Sequence, residues 1–368
     1  MRITYPRLGD AHIYGRLLFQ EIGMELVIPD HNSQIGLERG SSISPEDICL
    51  PFKLMVDNLI SAWEKGADTV IMPATMGPCR LGEYGEVLKV VLDRHGYKYN
   101  WILLDSISAI GLPNLKKRLV SIVEDSNCSR AEIVRALKGV YTVIKEFEKL
   151  EKKARLYSGY EKQAGKSKEI VKKCRRGLAR TTSINMALKI LEKGHNSIES
   201  LELDQLKEPI KIILTGEIFT CIDSFSNHNI EEKLMDMGVS FEKTISIGWW
   251  LDNTVINPLG GYFSNKRFNE YIPYRIGGYA KETVSGIYRF NKANFDGIIQ
   301  ILPVGCMPEI VAKSVFDGLS RDENLPVLSI VFDEMVGEAG YVTRIEAFID
   351  MLMRRKNLNL YKGRKCYI

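Results

Sequence analysis

Asp296-Gly-Ile-Ile-Gln-Ile-Leu-Pro303 leads through Gly305 to Cys306, and Asp68-Thr-Val-Ile-Met-Pro73 leads through Gly77 to Cys79. Each is an almost continuous apolar run of strand length. Runs of that kind fit strands covered on both faces, the pattern of a parallel sheet. A second echo sets Cys49-Leu50-Pro51 beside Cys306-Met307-Pro308, each followed by an apolar helical pattern. The echoes suggest two similar halves, although matches this short also arise by chance.

Working outward from the first run, strands are predicted at Arg2–Tyr5, Glu25–Ile28, Thr69–Met72 and Asn100–Leu104. They alternate with helices at Ala11–Ile22, Pro51–Lys65 and Tyr84–Arg94, and a loop rich in Gly and Ser is predicted at Gln34–Glu46. Around the second run, strands are predicted at Ile210–Leu214, Glu242–Ile247, Gly297–Leu302 and Val327–Phe332. Helices fall at Ile230–Met237, Ala280–Asn291, Glu309–Leu319 and Tyr341–Arg355, with an aromatic, Gly-rich loop at Trp249–Tyr279. From about Leu115 to Leu206 the pattern is helical only. Strands alternating with helices imply a mostly parallel sheet. The expected class is α/β, with two doubly wound, Rossmann-like parallel-sheet domains. The N-terminal domain spans 1–114 and carries Cys49 and Cys79, and the C-terminal domain spans 207–356 and carries Cys306. A helical insertion (115–206) joins them, and 357–368 is a tail.

Composition fits this reading. The chain has 368 residues, enough for two domains, with 45% hydrophobic and 26% charged residues and a net charge of +4. That balance argues against disorder and gives no field that would draw in nucleic acid. No apolar run approaches the ~20 residues that span a bilayer, and Met1–Asp10 is too polar for a signal peptide. The seven cysteines are odd in number and form no CxxC pair, so a reducing, cytoplasmic setting is expected rather than a disulfide scaffold. Between Lys145 and Arg180 there are 13 basic and 5 acidic residues. That block is read either as a solvated helical face or as a docking surface for an acidic partner.

Candidate chemistry centres on three cysteines. Cys79 and Cys306 lie just beyond predicted central strands, and Cys49 and Cys306 stand two residues before a proline able to open a helix. Helix N-termini offer free N–H groups and a positive dipole end, which lower a thiol's pKa. Ligand sites in open α/β sheets gather where strands end. Three thiolates meeting in one crevice and three loop cysteines packed as small hydrophobes both remain open on this reading. Cys221, after the strand Thr215-Gly-Glu-Ile-Phe-Thr-Cys221, is a reserve ligand, while Cys128, Cys174 and Cys366 stand in less suitable settings. Gly159-Tyr-Glu-Lys-Gln-Ala-Gly165-Lys166-Ser167 approaches a Walker A loop but has one residue too many and no preceding strand. No GxGxxG follows a strand, and the five histidines show no metal-ligand spacing. The polar stretch after the last strand is read either as a helix start, with Thr343 or Gly340 opening the last helix and Glu338 capping it, or as an ion-pair network of Asp333, Glu334 and Arg344 bracing a site at the sheet edge.

Four segments carry a resemblance. Cys49-Leu-Pro-Phe-Lys53, Gly77-Pro-Cys-Arg-Leu-Gly-Glu-Tyr-Gly-Glu86, Pro303-Val-Gly-Cys-Met-Pro-Glu309 and Asp333-Glu-Met-Val-Gly-Glu-Ala-Gly-Tyr-Val-Thr-Arg-Ile-Glu-Ala-Phe348 together resemble the 2-hydroxyacyl-CoA dehydratase component superfamily. The nearest part of it is the CoA protein activase and activase-related branch, kin of the double-cubane cluster proteins. The resemblance implies an oxygen-sensitive iron–sulfur protein of anaerobic metabolism. Carried over by position, Cys49, Cys79 and Cys306 would hold a [4Fe-4S] cluster, or half of a linked double cubane, where the two domains meet. A separate ATPase of actin-like fold would dock and drive low-potential electrons onto it. The implied function is a redox component that reduces a small-molecule substrate; the alternative is a non-catalytic cluster-carrying or regulatory scaffold that binds the activase. Expected partners are that ATPase and a second copy or related subunit, with neither nucleic acid nor membrane. The chain departs from the pattern in lacking a second set of three well-placed cysteines and a clear CoA-binding signature, which leaves enzymatic activity open.

Overall fold

The computed structural model describes residues 1–73, 79–104, 107–256, 271–274, 276–288, 290, 295–334 and 337–364. The first half forms a parallel sheet of order β1-β2-β3, with β1 at Ile3–Thr4, β2 at Thr69–Pro73 and β3 at Asn100–Leu104. The second half forms a parallel sheet of order β5-β4-β6-β7, from β4 (Lys211–Gly216), β5 (Ser240–Lys243), β6 (Gly297–Pro303) and β7 (Val327–Phe332). These are the two Rossmann-like sheets that the alternating pattern implies.

The sequence echo has a structural basis. At the start of β2, the Asp68 backbone N–H donates to Arg2 O at 3.0 Å, and the Arg2 N–H donates to Asp68 Oδ1 at 3.0 Å. At the start of β6, the Asp296 N–H donates to Lys211 O at 2.7 Å, and the Lys211 N–H donates to Asp296 Oδ2 at 2.8 Å. In each half an aspartate thus pins the first strand to the central one. The central strand then ends in a proline, which cannot extend the ladder as a donor.

Helices cover the sheets. In the first half these are α1 (Ala11–Glu21), α2 (Gln34–Ile43), α3 (Leu50–Glu64) and α4 (Tyr84–Arg94). Next come α5 (Ile107–Val123), broken at Gly111 with φ 75°, α6 (Arg130–Tyr157), α7 (Lys166–Arg180) and α8 (Ile184–Glu199). Among the described residues the only β pairing in this stretch is one isolated bridge, Glu161 to Leu203. Phe147, Leu150, Leu178 and Leu191 from these helices share a core with Ile13 and Leu17 of α1 and with Ile212, Leu214 and Phe241 of the second sheet. The second half adds α9 (Ile218–Ile222), α10 (Ile230–Asp236), α11 (Ile247–Leu251), α12 (Ala280–Ile287), α13 (Met307–Asp322) and α14 (Glu338–Arg364). Val284 of α12 and Phe316 of α13 pack with Ile213 and Ile298 in a separate core.

Three local expectations are corrected. Glu25–Ile28 is not a full strand: only Leu26 bridges to Ile3, and Pro29 withholds the next donor. The predicted Gly/Ser loop is instead α2, whose Ser33 cap accepts from the Gly36 N–H at 3.1 Å. Its glycines serve close helix packing, since a Cβ on Gly40 would stand 1.9 Å from Lys53 O and one on Gly36 2.3 Å from Asp57 Oδ2. Finally, residues 357–364 of the expected tail continue α14. Cys366 and residues 257–270 of the aromatic loop lie outside the described residues.

Candidate functional site

A cavity of ≈ 110 Å³ opens where the carboxyl ends of β2, β4 and β6 come together. Its walls include Cys49, Cys79, Arg80 and Tyr84 from the first half and Glu217, Gly278, Tyr279, Cys306 and Glu309 from the second. In the second sheet this lies at the switch between β5-β4 and β6-β7, where α/β folds place their ligands.

Local sequence places each thiol. Cys49 is the N-cap of α3 and Cys306 the N-cap of α13, with Pro51 and Pro308 in their first turns. Cys79 caps the short 3₁₀ turn Arg80–Glu83, which runs directly into α4. Gly305 takes φ 75° just before Cys306, a conformation that favours glycine. Gly278 is needed for closeness: at φ 54°, a Cβ there would lie 2.6 Å from Pro308 Cγ and 3.4 Å from Cys79 Sγ.

The electrostatics differ from the sequence expectation. Burial pushes all three thiols up rather than down; Cys306 rises far, with Glu217 and Glu309 adding to the effect of burial. Hydrogen bonds oppose the rise without cancelling it: Tyr84 OH at Cys49, the Leu81 backbone at Cys79 and the Glu309 backbone at Cys306. Desolvation outweighs the helix ends here. The thiols are therefore neutral without metal, and any metal they bind must displace their protons.

Two buried carboxyls share the site. Glu217 is raised by burial, and its oxygens accept from the Phe219 N–H at 2.9 Å, the Thr220 N–H at 2.8 Å and the Thr220 hydroxyl at 2.8 Å. Glu309 is pushed up to about 7 by burial. It meets Thr283 Oγ1 at 2.7 Å and the Gln300 side-chain amide at 2.9 Å. Arg80 is the one lysine or arginine among the described lining residues, and it donates to Asp47 O at 2.7 Å and Gly305 O at 3.4 Å, tying the halves together.

Among the described residues no three His, Cys, Asp or Glu side chains converge tightly enough to hold a metal ion. An iron–sulfur cubane makes a different demand, because each thiolate binds a separate iron and the donors stand apart around the inorganic core. Three thiols facing one cavity, each with one hydrogen-bond donor, fit that requirement. A family model described as the CoA enzyme activase uncharacterised domain matches residues 12–244, well over half of the chain. The chain belongs to this CoA enzyme activase domain family. No curated protein matches it. The segment matched by the activase domain contains Cys49, Cys79 and Glu217 and stops before Cys306 and Glu309.

Other candidates in this activase-domain chain go elsewhere. Cys221 is fully buried in the shared core and is absent from the cavity wall. Cys174 packs on α7 with the core, and Cys128 stands near Glu21 O at 4.0 Å. The Walker-like loop is filled from within: buried Glu161 accepts from the Gly165 N–H at 2.7 Å and from the Ser167 N–H. A glutamate occupies the place of a phosphate at the start of α7.

Glu334 does not build a network within its own segment. Its carboxylate accepts from Ser41 Oγ at 2.6 Å and pairs with buried Lys53, so the first and last motifs clasp across the halves. Arg344 donates to Ser329 O at 3.0 Å. The basic block is largely neutralised: Lys152 pairs with Glu242, Lys168 with Asp236, Lys172 with Glu232, and Arg175 with Asp10 and Glu151. This favours a solvated, internally paired face. No helix among the described residues is long and apolar enough to cross a membrane.

Sequence reading left Tyr84, Arg80, Glu217 and Glu309 without a role. Tyr84, Arg80 and Glu309 stand in the quoted motifs, and Glu217 follows the buried strand β4, so their positions carried the signal. Nothing local announced that Tyr279 and Gly278 would close the wall.

Proposed function

We propose that this chain is an iron–sulfur redox protein of the 2-hydroxyacyl-CoA dehydratase type, with a [4Fe-4S] cluster or half of a double cubane held by Cys49, Cys79 and Cys306. An actin-like-fold ATPase activase supplies its low-potential electrons, and a small molecule is reduced. The observation that carries the reading is that three cysteines from separate loops, far apart in sequence, line one cavity between two parallel sheets. The cluster, when bound, supplies one-electron chemistry at low potential.

The chain's own residues do the rest. Cys306 is buried and Cys49 and Cys79 are half-buried, and Pro51, Leu81 and Pro308 give the cavity an apolar wall. Glu309, pushed up to about 7 by burial, can take up and release a proton near neutral pH within the same wall. Val304, Met307 and Ile310 flank Cys306 and are 48%, 37% and 53% exposed. They offer an apolar face beside the cavity for the electron donor. The alternative, a cluster-carrying scaffold without turnover, uses the same ligands and is favoured by the missing CoA-binding signature.

The test is iron and acid-labile sulfide analysis with EPR after anaerobic purification or reconstitution. A cubane signal is expected, with bound iron lowered by each of Cys49→Ser, Cys79→Ser and Cys306→Ser and unchanged by Cys128→Ser and Cys366→Ser. A triple Cys49/Cys79/Cys306→Ser chain that keeps its full iron would overturn the assignment. Turnover of a 2-hydroxyacyl thioester with the ATPase then separates the enzyme from the scaffold.

A further inference from the structure

We infer that Tyr84 is a positioning residue that donates a hydrogen bond to the Cys49 sulfur and thereby raises the reduction potential of the centre; this rests on the cluster reading above. Tyr84 is 1% exposed, and its hydroxyl bonds Cys49 Sγ. Its ring is locked edge-on against Phe52, with centroids 5.1 Å apart at 75°. Phe52 lies on the first turn of α3, which Cys49 caps.

The arrangement answers a local deficit. Cys79 receives a backbone donor from Leu81, and Cys306 receives one from Glu309, three residues on. The equivalent N–H after Cys49, that of Phe52, is spent on Cys49 O at 3.0 Å, and Pro51 has no N–H to offer. Among the described residues Tyr84 supplies the missing donor from the neighbouring helix. The turn that begins at Cys79 ends at Tyr84, so one rigid segment carries one ligand and braces another.

The direction of the effect follows from charge. A phenol, with its ordinary pKa of about 10, is protonated at neutral pH, so Tyr84 is an O–H donor. A thiolate bound to iron can only accept. Adding an electron to the centre increases negative charge on its sulfurs, and a hydrogen bond to a ligand sulfur stabilises the reduced state more than the oxidised one. No proton is transferred and no covalent bond changes.

The experiment compares wild type, Tyr84→Phe and a chain with 3-fluorotyrosine placed at position 84, each reconstituted anaerobically. EPR-monitored redox titration should move the potential negative in Tyr84→Phe and positive with the stronger fluorophenol donor, at unchanged iron content. The D2O-induced shift of the iron–sulfur stretching bands should shrink in Tyr84→Phe, leaving the part due to the backbone donors at Cys79 and Cys306. In metal-free protein, the ring C–O stretching band of Tyr84, identified by its loss in Tyr84→Phe, should move to the frequency of a phenol that donates no hydrogen bond in Cys49→Ala. An unchanged Tyr84 band means that the contact does not exist and overturns the inference. Equal potentials in all three chains, with cluster present, overturn this role alone. A wild-type chain that takes up no cluster overturns the function reading, and this role with it.

Discussion

β2 and β6 start alike and finish differently. Each is pinned by an aspartate to the first strand of its sheet and ends in a proline, with a helix-capping cysteine beyond. β2 ends partly exposed at Ile71 and Pro73, whereas all seven residues of β6 are buried. β6 also carries Gln300, whose side chain bonds Glu309 and accepts from Ser329 Oγ at 2.7 Å. The first half therefore contributes two thiols, a phenol and a guanidinium, and the second contributes one thiol backed by a buried polar network. In both halves a cysteine caps the helical segment that follows the central strand, while the depth of the sheet behind it decides where a proton can be stored.

The sharpest test of that contrast is steric. Gly216 ends β4 at φ 144°, and a Cβ there would stand 1.9 Å from Ile301 O on the adjacent central strand. Gly40 has an equally short contact, 1.9 Å to Lys53 O, but between two helices. Strands held in one ladder cannot slide apart without breaking it, whereas two helices can separate slightly. Gly216→Ala is expected to cost on the order of 4–5 kcal/mol and Gly40→Ala about half of that. Urea unfolding measures both, and a larger loss at Gly40 would break the claim that the strand ladder yields less than the helix pair.

Next in size is the proton on Glu309. Its folded pKa of about 7 lies above the ordinary carboxyl value of 4.5. Between those values the folded chain binds more protons than the unfolded one, so stability falls as pH rises through that window. The buried hydrogen bonds agree with a neutral acid. The single Thr283 hydroxyl hydrogen can serve Gly216 O, 3.2 Å away, if Glu309 donates to Thr283 Oγ1. Glutamine reproduces that donor and acceptor pair without charge. Glu309→Gln should match wild type near pH 4.5 and exceed it by up to about 3 kcal/mol at pH 8, at roughly 1.4 kcal/mol per pKa unit. Parallel stability curves for the two chains from pH 4.5 to 8 would remove the proton from Glu309.

Much of this was legible in the chain because it is local. Apolar runs bounded by Asp and Pro marked β2 and β6, and cysteines two residues before a proline marked the starts of α3 and α13. What escaped depends on contacts far apart in sequence. The glycines of α2 read as a loop until Lys53 and Asp57 of α3 are seen against them. The basic residues of α6 and α7 read as a charged face until Glu231, Glu232, Asp236 and Glu242 arrive from the second half. The thiols read as activated because helix ends are visible in sequence, whereas the burial that raises them is a property of the assembled cavity.

The smallest expected effect concerns the two aspartate pins, the feature in which the halves agree. Asp68 accepts from the Arg2 N–H and from the Thr69 hydroxyl at 2.6 Å, while Asp296 accepts from the Lys211 N–H and from Lys356 Nζ at 3.3 Å. A carboxylate accepting a backbone N–H contributes about 1–2 kcal/mol when partly solvated. Each Asp→Ala change should therefore cost about 1–2 kcal/mol at pH 7. Asp68 carries a further signature, because the Thr69 and Arg2 bonds outweigh its slight burial and hold its pKa below the usual value. Its contribution is present above the unfolded carboxylate value and is lost as pH falls through the lower folded one. The gap between wild type and Asp68→Ala, read by urea unfolding, should thus narrow below about pH 4. If Asp68→Ala were silent at pH 7 while Asp296→Ala was not, the pin would belong to the second half alone, and the symmetry of β2 and β6 would reduce to their shared sequence pattern.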